Sequence, residues 1–292
     1  MTVPYSSEKR EPLTEDVKIT ILSENTSGRE DLIPEYGLSM WIEADGTDIL
    51  FDTGMAGAFA KNADVLGIDL SKAVHLCLSH GHFDHTGGLA LAIEHAPEAI
   101  IHLHPDAARP KYLFGGQNPS MPIGMPEPAT TALREKTSRC LFLTDATRIT
   151  EHVHLTGPVP RRTAFERIVE PFTLDPEGKL ADTLPDDQAL WIETSKGLII
   201  VLGCAHSGVI NTVEYIRDKS GRKDIRAIIG GMHLMSSDQD TIVKTADAIA
   251  ASRPGLISPN HCTGEPACAH FRERFKEIYQ PSTTGTVFTF SA

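Results

Sequence analysis

The sequence predicts an α/β protein: an αββα sandwich of two mixed β-sheets packed together, with helices on the outer faces. Three observations predict it. Short apolar or alternating runs occur in turn-linked pairs, at 38–43 with 47–51 and at 189–193 with 197–202. Each pair is followed by strand–loop–helix units, the pattern that builds parallel strands covered by helices. Both halves of the chain share this grammar, so two similar sheets are available to bury their faces against each other.

Each element has its own local signal. Residues 17–22 alternate apolar and polar side chains, as a half-buried strand does. The Asp45-Gly46 turn between 38–43 and 47–51 is a strong hairpin signal, and it delivers Asp52-Thr53-Gly54 to the end of a sheet. A helix is expected over 56–66, a buried strand over 73–78 and a further helix over 89–95. From 105 to 128 six prolines (105, 110, 119, 122, 126 and 128) and Gly115-Gly116 resist both helix and sheet. That stretch reads as a long connection of the kind that forms lids or disorder, and Gly157-Pro158-Val159-Pro160-Arg161-Arg162 reads similarly. Regularity returns with the hairpin at 189–202, turning near Ser195-Lys196. A helix over 208–216 has Ser207 as a reasonable N-cap. A short strand at 227–229 leads to a helix that starts in capping-box fashion at Ser237-x-x-Asp240. Ile242, Val243, Ala246 and Ile249 share one face of it. A strand at 256–258 precedes a last helix with Pro266 in its first turn and Phe271, Phe275 and Ile278 turned inward, and 287–290 closes the chain as a strand. The organisation expected is a flexible tail over 1–16 and one domain over 17–292, with a Pro-rich insertion near 105–165.

The segment Ser79-His80-Gly81-His82-Phe83-Asp84-His85-Thr86-Gly87-Gly88 places three imidazoles and a carboxylate within six residues at the end of a buried strand. A turn there aims several side chains at one point. Neutral imidazole and carboxylate suit zinc, manganese and iron. Asp84 and His85 cannot easily point the same way as His80 and His82, which suits two metals rather than one. His206, in Gly203-Cys204-Ala205-His206-Ser207-Gly208, and His261, in Pro259-Asn260-His261-Cys262-Thr263-Gly264, also stand at strand ends. Three such sites in one chain favour shared ligation over isolated packing histidines. His233, after Gly230-Gly231-Met232, is a fourth strand-end candidate, the alternative being a histidine that caps the turn. His95, His152 and His270 lack this context and read as surface or packing residues. Cys262 reads as a small buried residue ahead of a soft ligand or a nucleophile.

Composition bounds the partners. Lys+Arg 27 against Asp+Glu 39 gives a net charge of -12, which disfavours nucleic acid and anionic membrane surfaces. No run of apolar residues is long enough for a membrane-spanning helix, and the polar N-terminus lacks the apolar core of a signal peptide. The five cysteines (77, 140, 204, 262 and 268) form no disulfide framework. The expectation is a cytoplasmic protein acting on a small-molecule substrate, with a homo-oligomer left open.

With these residues in view the chain resembles the metallo-β-lactamase-fold metallohydrolases. Asp52-Thr53-Gly54, the His80–His85 cluster, His206 and His261 follow that family's order. Glu24-Asn25-Thr26, Gly157-Pro158-Val159-Pro160-Arg161, Pro185-Asp186-Asp187-Gln188, Gly230-Gly231-Met232-His233-Leu234 and His261-Cys262-Thr263-Gly264 resemble the branch of the dihydropterin-condensing (ribofuranosylaminobenzene 5'-phosphate) synthase. The resemblance implies that His80, His82 and His206 hold one metal and Asp84, His85 and His261 a second, with Asp52 orienting the ligands. It implies one or two divalent ions per chain, zinc first, with manganese, iron or magnesium as alternatives. Most dinuclear members place a bridging aspartate after the strand that ends here at Ile229, and this chain has Gly230-Gly231-Met232-His233 instead. His233 would replace that bridge as a ligand, or sit over the site as acid or anion contact. The activity implied is hydrolysis of a small phosphate-containing ester by a metal-activated water, with Asp84, expected in a solvent-facing loop between ligands, as proton acceptor. The alternatives are a dihydropterin-condensing transferase that releases pyrophosphate, and a metal-retaining sensor without turnover. Arg161 and Arg162 are either a phosphate-binding wall or solvated loop charges.

Overall fold

The computed structural model describes residues 13–14, 16–115 and 120–291. The N-terminal half contains β1 (Val17–Ser23), β2 (Ser39–Ala44), β3 (Thr47–Phe51), α1 (Ala58–Leu66), β4 (His75–Cys77), α2 (Phe83–Thr86), α3 (Leu89–His95) and β5 (Ile100–Leu103). Between the halves lie β6 (Tyr112–Leu113), β7 (Met121–Pro122), α4 (Glu127–Glu135), β8 (Cys140–Phe142), β9 (Thr147–Arg148), β10 (Val153–Leu155) and β11 (Phe172–Thr173). The C-terminal half adds β12 (Leu190–Thr194), β13 (Gly197–Leu202), α5 (Val209–Ser220), β14 (Ile225–Gly231), α6 (Gln239–Ser252), β15 (Ile257–Asn260), α7 (Glu265–Phe275) and β16 (Val287–Phe290).

Two mixed sheets result. One has the order β16-β1-β2-β3-β4-β5-β8 and the other β15-β14-β13-β12-β10-β9. The β2–β3 turn puts both Asp45 (φ 53°) and Gly46 (φ 65°) in the left-handed region, the conformation that matches a two-residue hairpin to strand twist. Ile19, Ile42, Phe51, Ile192, Val201 and Ile229 fill the space between the sheets. Phe59, Leu89, Ile93 and Leu133 seal the outer face of the first sheet under α1, α3 and α4. Val213, Ile216, Ile249 and Phe271 do the same for the second under α5, α6 and α7. Side chains of this size contribute about 1.5–3 kcal/mol each when fully buried. The layers are therefore helix, sheet, sheet, helix. β3, β4 and β5 run parallel in one sheet, and β13, β14 and β15 in the other. Their carboxyl ends carry Asp52, Ser79-His80, Cys204, His233 and His261, so one crevice collects the candidate ligands, as open α/β sheets tend to do.

Several expectations change. The Pro-rich stretch is not a bare connection. Pro105 opens a 3₁₀ turn (Pro105–Ala108), Pro126 and Pro128 start α4, and Pro122 lies in the short strand β7 of a small sheet ordered β11-β6-β7. Proline is tolerated in a helix's first turn and on strand edges because its missing N–H is not needed there. Gly116 and Pro119 lie outside the described residues. So does the expected tail, apart from Leu13, Thr14 and Asp16. Ser207 does not cap α5: Gly208 (φ 98°) holds that position, and the Glu166 carboxylate accepts from the Ile210 and Asn211 N–H groups at 2.7 and 2.8 Å. The cap of α6 is Asp238, accepting from Thr241 N–H at 2.8 Å, rather than Ser237. Among the described residues no helix is long and apolar enough to cross a membrane, and all five cysteines are free.

Candidate metal centre

Asp52 organises the site. It stands at φ 57° just after β3 and is fully buried. Its Oδ1 accepts from the Ser79 N–H at 2.7 Å, and its Oδ2 accepts from the Ser79 hydroxyl at 2.6 Å and from His85 Nδ1–H at 2.7 Å. Since the Ser79 hydroxyl is committed to Asp52, its oxygen accepts from His80 Nδ1–H at 2.9 Å. The ring orientations follow: His80 and His85 both donate through Nδ1 and turn Nε2 inward, bare on neutral His80 and freed on His85 once a cation displaces its proton. His261 repeats this through Asn25, whose Oδ1 accepts from His261 Nδ1–H at 3.0 Å.

Two donor triads form. His80 Nε2 faces His82 Nδ1 at 3.0 Å and His206 Nε2 at 3.3 Å, and one ligand atom from each ring lies within 4.8 Å of the others. Asp84, His85 and His261 form the second triad within the same limit. His85 Nε2 is 3.1 Å from His261 Nε2, and Asp84 Oδ2 is 3.3 Å from His261 Nε2 and 3.8 Å from His85 Nε2. Burial keeps His80 and His206 neutral, far below the usual imidazole range, and pulls His82 to about 3, the neighbouring rings adding to the effect on the first two. Burial opposes charge on His85 as well, but Asp52 and Asp84 outweigh it and lift its pKa to about 9. Burial likewise opposes ionisation of Asp84, yet His85 and His261 hold its carboxyl well below the usual range. Bare nitrogens pointing at one another make poor hydrogen bonds. His82 Nε2 and His206 Nδ1 are buried with no partner at all among the described residues. Neutral imidazoles converging beside a carboxylate are the donor set of a divalent metal, so the residues fit one.

The loops around the triads are braced by carboxylates and an amide. Asp187 accepts from the N–H groups of His206 (3.0 Å) and Ser207 (2.8 Å). Asp186 accepts from Gly81 N–H at 2.8 Å, and Gln188 Nε2–H donates to Leu78 carbonyl at 2.8 Å. Glu24 accepts from His261 N–H at 3.0 Å. Ala205, His233 and His261, like Asp52, hold positive φ (54°, 46° and 49°). Such backbone costs of order 1–3 kcal/mol per residue and persists where the surroundings over-determine it.

The six expected ligands therefore converge. Asp84 is the exception in setting: it is not in a solvent-facing loop but buried in α2. His233 lies beside His206, with ring centroids 4.1 Å apart, and its Nε2 is 3.2 Å from Glu170. Burial opposes its charge, but Cys262 and Glu170 raise its pKa to about 10. Phe172, from β11, covers His82 and His206 at centroid distances of 5.2 and 5.5 Å, and Tyr36 covers His261 at 5.5 Å. Arg161 does not face the site as a free cation: its guanidinium donates to the carbonyls of His206 and Thr183, both at 2.9 Å. Arg162 pairs with Asp218 in solvent. His152 pairs with Asp45 away from the site. Cys262 is buried, and it shares with Cys204 and His261 a group of donors within 4.8 Å. Sequence reasoning missed the positions of Cys204, Glu170 and Asn25. Cys204 had a signal, standing two residues before His206 at a strand end. Glu170 had none, because only the chain path brings it to His233.

A family model described as the metallo-beta-lactamase superfamily matches residues 32–214. The 7,8-dihydropterin-6-methyl-4-(beta-D-ribofuranosyl)-aminobenzene-5'-phosphate synthase of Methanocaldococcus jannaschii is 30% identical over 293 aligned positions, covering 94% of this chain and 97% of that protein. The crystal structure of Tm1679, a metal-dependent hydrolase of the beta-lactamase superfamily, superposes with a TM-score of 0.80 and 28% identity over 94% of this chain and all of that one (100%). Zn(2+)-bound PqqB from Methylobacterium extorquens shares the fold at a TM-score of 0.53 and 13% identity, covering 93% and 99%. The double sandwich, the strand-end ligand cluster and these matches agree: the chain belongs to the metallo-β-lactamase superfamily, whose fold implies a divalent metal.

Proposed function

We propose that the protein is a metal-dependent hydrolase of a small, phosphate-containing ester. The observation that carries this reading is the pair of buried donor triads, which gathers six ligand atoms into two groups, each within 4.8 Å. His80, His82 and His206 would hold one ion, and Asp84, His85 and His261 a second, with zinc the best match to a histidine-rich set. Divalent metal bound there supplies Lewis acidity and makes water acidic near neutral pH. Asp84, beside the second triad, would accept the proton of the attacking water. His233, held by Glu170, offers a proton or a cationic contact to the leaving group. Arg167 lines the narrow pocket beside His206 and His233 and is placed for an anionic substituent. Phe172 packs over His82 and His206, and Tyr36 over His261.

One observation favours a second reading. The M. jannaschii relative is named as a synthase whose product carries an aminobenzene 5'-phosphate. In the corresponding transferase reading, an aryl nucleophile replaces water and pyrophosphate leaves a dihydropterin. Elemental analysis and one substrate panel test both. The wild type is expected to carry transition metal, which His82→Ala combined with His206→Ala removes. Hydrolysis of phosphodiesters supports the first reading, whereas hydrolysis of lactones or thioesters alone keeps the hydrolase and overturns the phosphate ester. Turnover only when the aryl acceptor and dihydropterin pyrophosphate are supplied together supports the second. Unchanged metal content in the double variant refutes the ligand assignment.

A further inference from the structure

The end of β14, beside the two triads, has no room for a side chain. A Cβ at Gly230 would lie 2.1 Å from the Leu202 carbonyl oxygen, and one at Gly231 would lie 2.4 Å from the Gly203 oxygen and 2.6 Å from Cys262 Sγ. The crevice contains a sulfur instead. Cys204 leaves the end of β13 and is buried, with Sγ 3.1 Å from His85 Nε2. It belongs to three donor groups whose atoms lie within 4.8 Å of one another: with His80 and His85, with His261 and Cys262, and with His206 and His233. The sulfur thus stands among members of both triads. Among the described residues the only other donors grouped with members of both triads are His80 and His85, already assigned as ligands.

We propose that Cys204 is a further metal ligand, a thiolate shared by the two triads. The inference rests on the metal-centre reading above. A thiolate is a soft, strong donor for zinc and related ions, and it adds a negative charge to a donor set in which Asp84 is otherwise the only anion. The thiol proton leaves to solvent as the sulfur–metal bond forms, and no oxidation is involved. Cys262 is the competing sulfur. Its Sγ lies 3.6 Å from the Cys204 carbonyl oxygen, turned towards the backbone of the β13 end.

Cobalt(II) loading of the metal-free full chain tests this without recourse to turnover. The wild type is expected to develop a thiolate-to-cobalt charge-transfer band in the near ultraviolet beside the visible ligand-field bands. Cys262→Ser should keep the charge-transfer band. Cys204→Ser should lose it while keeping the ligand-field bands of cobalt held by histidine. If Cys204→Ser fails to fold, the wild type and Cys262→Ser still decide, since Cys77, Cys140 and Cys268 belong to none of the donor groups. A wild-type spectrum with ligand-field bands alone overturns the thiolate and leaves the metal-centre reading standing. A band that disappears in Cys262→Ser, or survives in Cys204→Ser, also overturns it. Failure to bind cobalt at all overturns both readings.

Discussion

Asp84 lies between the rings of His85 and His261 with almost no solvent contact, so its charge is held by those partners. Asp84→Asn keeps the shape of the side chain and removes the anionic oxygen. We expect the variant to stay folded by circular dichroism and to lose most turnover on whichever substrate the panel identifies. Wild-type rates would contradict its role as proton acceptor. Asp52 never faces the crevice, but it sets the tautomers of His85 and, through Ser79, His80. Loss of a group that orients ligands typically costs about 10–100-fold in metal affinity. Asp52→Asn should therefore weaken metal binding by that order in a competition titration. An unchanged affinity would mean that the loop holds the rings without it.

At the scale of elements, the insertion is tied to the ligand loop through one buried cation. Lys111 Nζ donates to Asp182 at 2.8 Å and to Asp186 at 2.9 Å, and all three side chains are buried. Asp186 in turn accepts from the N–H of Gly81, between His80 and His82. Burial opposes charge on Lys111, but Asp186 and Asp182 overcome it and raise its pKa. Removing one partner of a buried ionic cluster strands the others, a loss of about 3–5 kcal/mol. Lys111→Met should lower unfolding free energy by that order in urea melts. A variant within about 0.5 kcal/mol of wild type, the usual range for harmless surface changes, would show the cluster to be energetically idle. Gly81 explains why this loop tolerates no side chain there: a Cβ would sit 2.0 Å from the Ala107 carbonyl oxygen. The insertion that proline content marks as irregular thus walls the ligand loop from behind.

The molecule as a whole carries a further buried pair on neighbouring strands. His75 Nδ1 and His102 Nε2 are 2.9 Å apart on β4 and β5. Burial, with some help from His75, pulls the His102 pKa from 6.5 to about 3, and burial lowers His75 too. Because the folded-state values are depressed, the pair's contribution is fully present above about pH 6.5, the ordinary imidazole value. It is lost as pH falls from there towards 3, since the unfolded chain takes up protons that the folded one refuses. Each such proton adds a slope approaching about 1.4 kcal/mol per pH unit. Chelator-treated wild type should lose stability along this limb, and His102→Gln should flatten it by about one proton's slope. Chelation matters, because acid also releases metal from the histidine triads. Parallel acid limbs in the two proteins would count against a neutral buried pair.

The sequence by itself determined the double sandwich and the residues that converge. Period-2 runs, the Asp45-Gly46 turn and strand-end histidines are local signals, and local backbone chemistry alone produces them. The superfamily was legible for the same reason, since Asp52, His80–His85, His206 and His261 sit in loops at the carboxyl ends of parallel strands. What only the tertiary structure decided depends on contacts between distant segments. Glu166 caps α5 in place of Ser207 because the chain after β10 returns to that helix end. Asp84 is buried where the distant His261 meets it. Arg161 is committed to the His206 and Thr183 carbonyls. Cys204 meets His85 from the opposite sheet. Through-space partners set burial, charge and ring tautomer, and no window of sequence contains them.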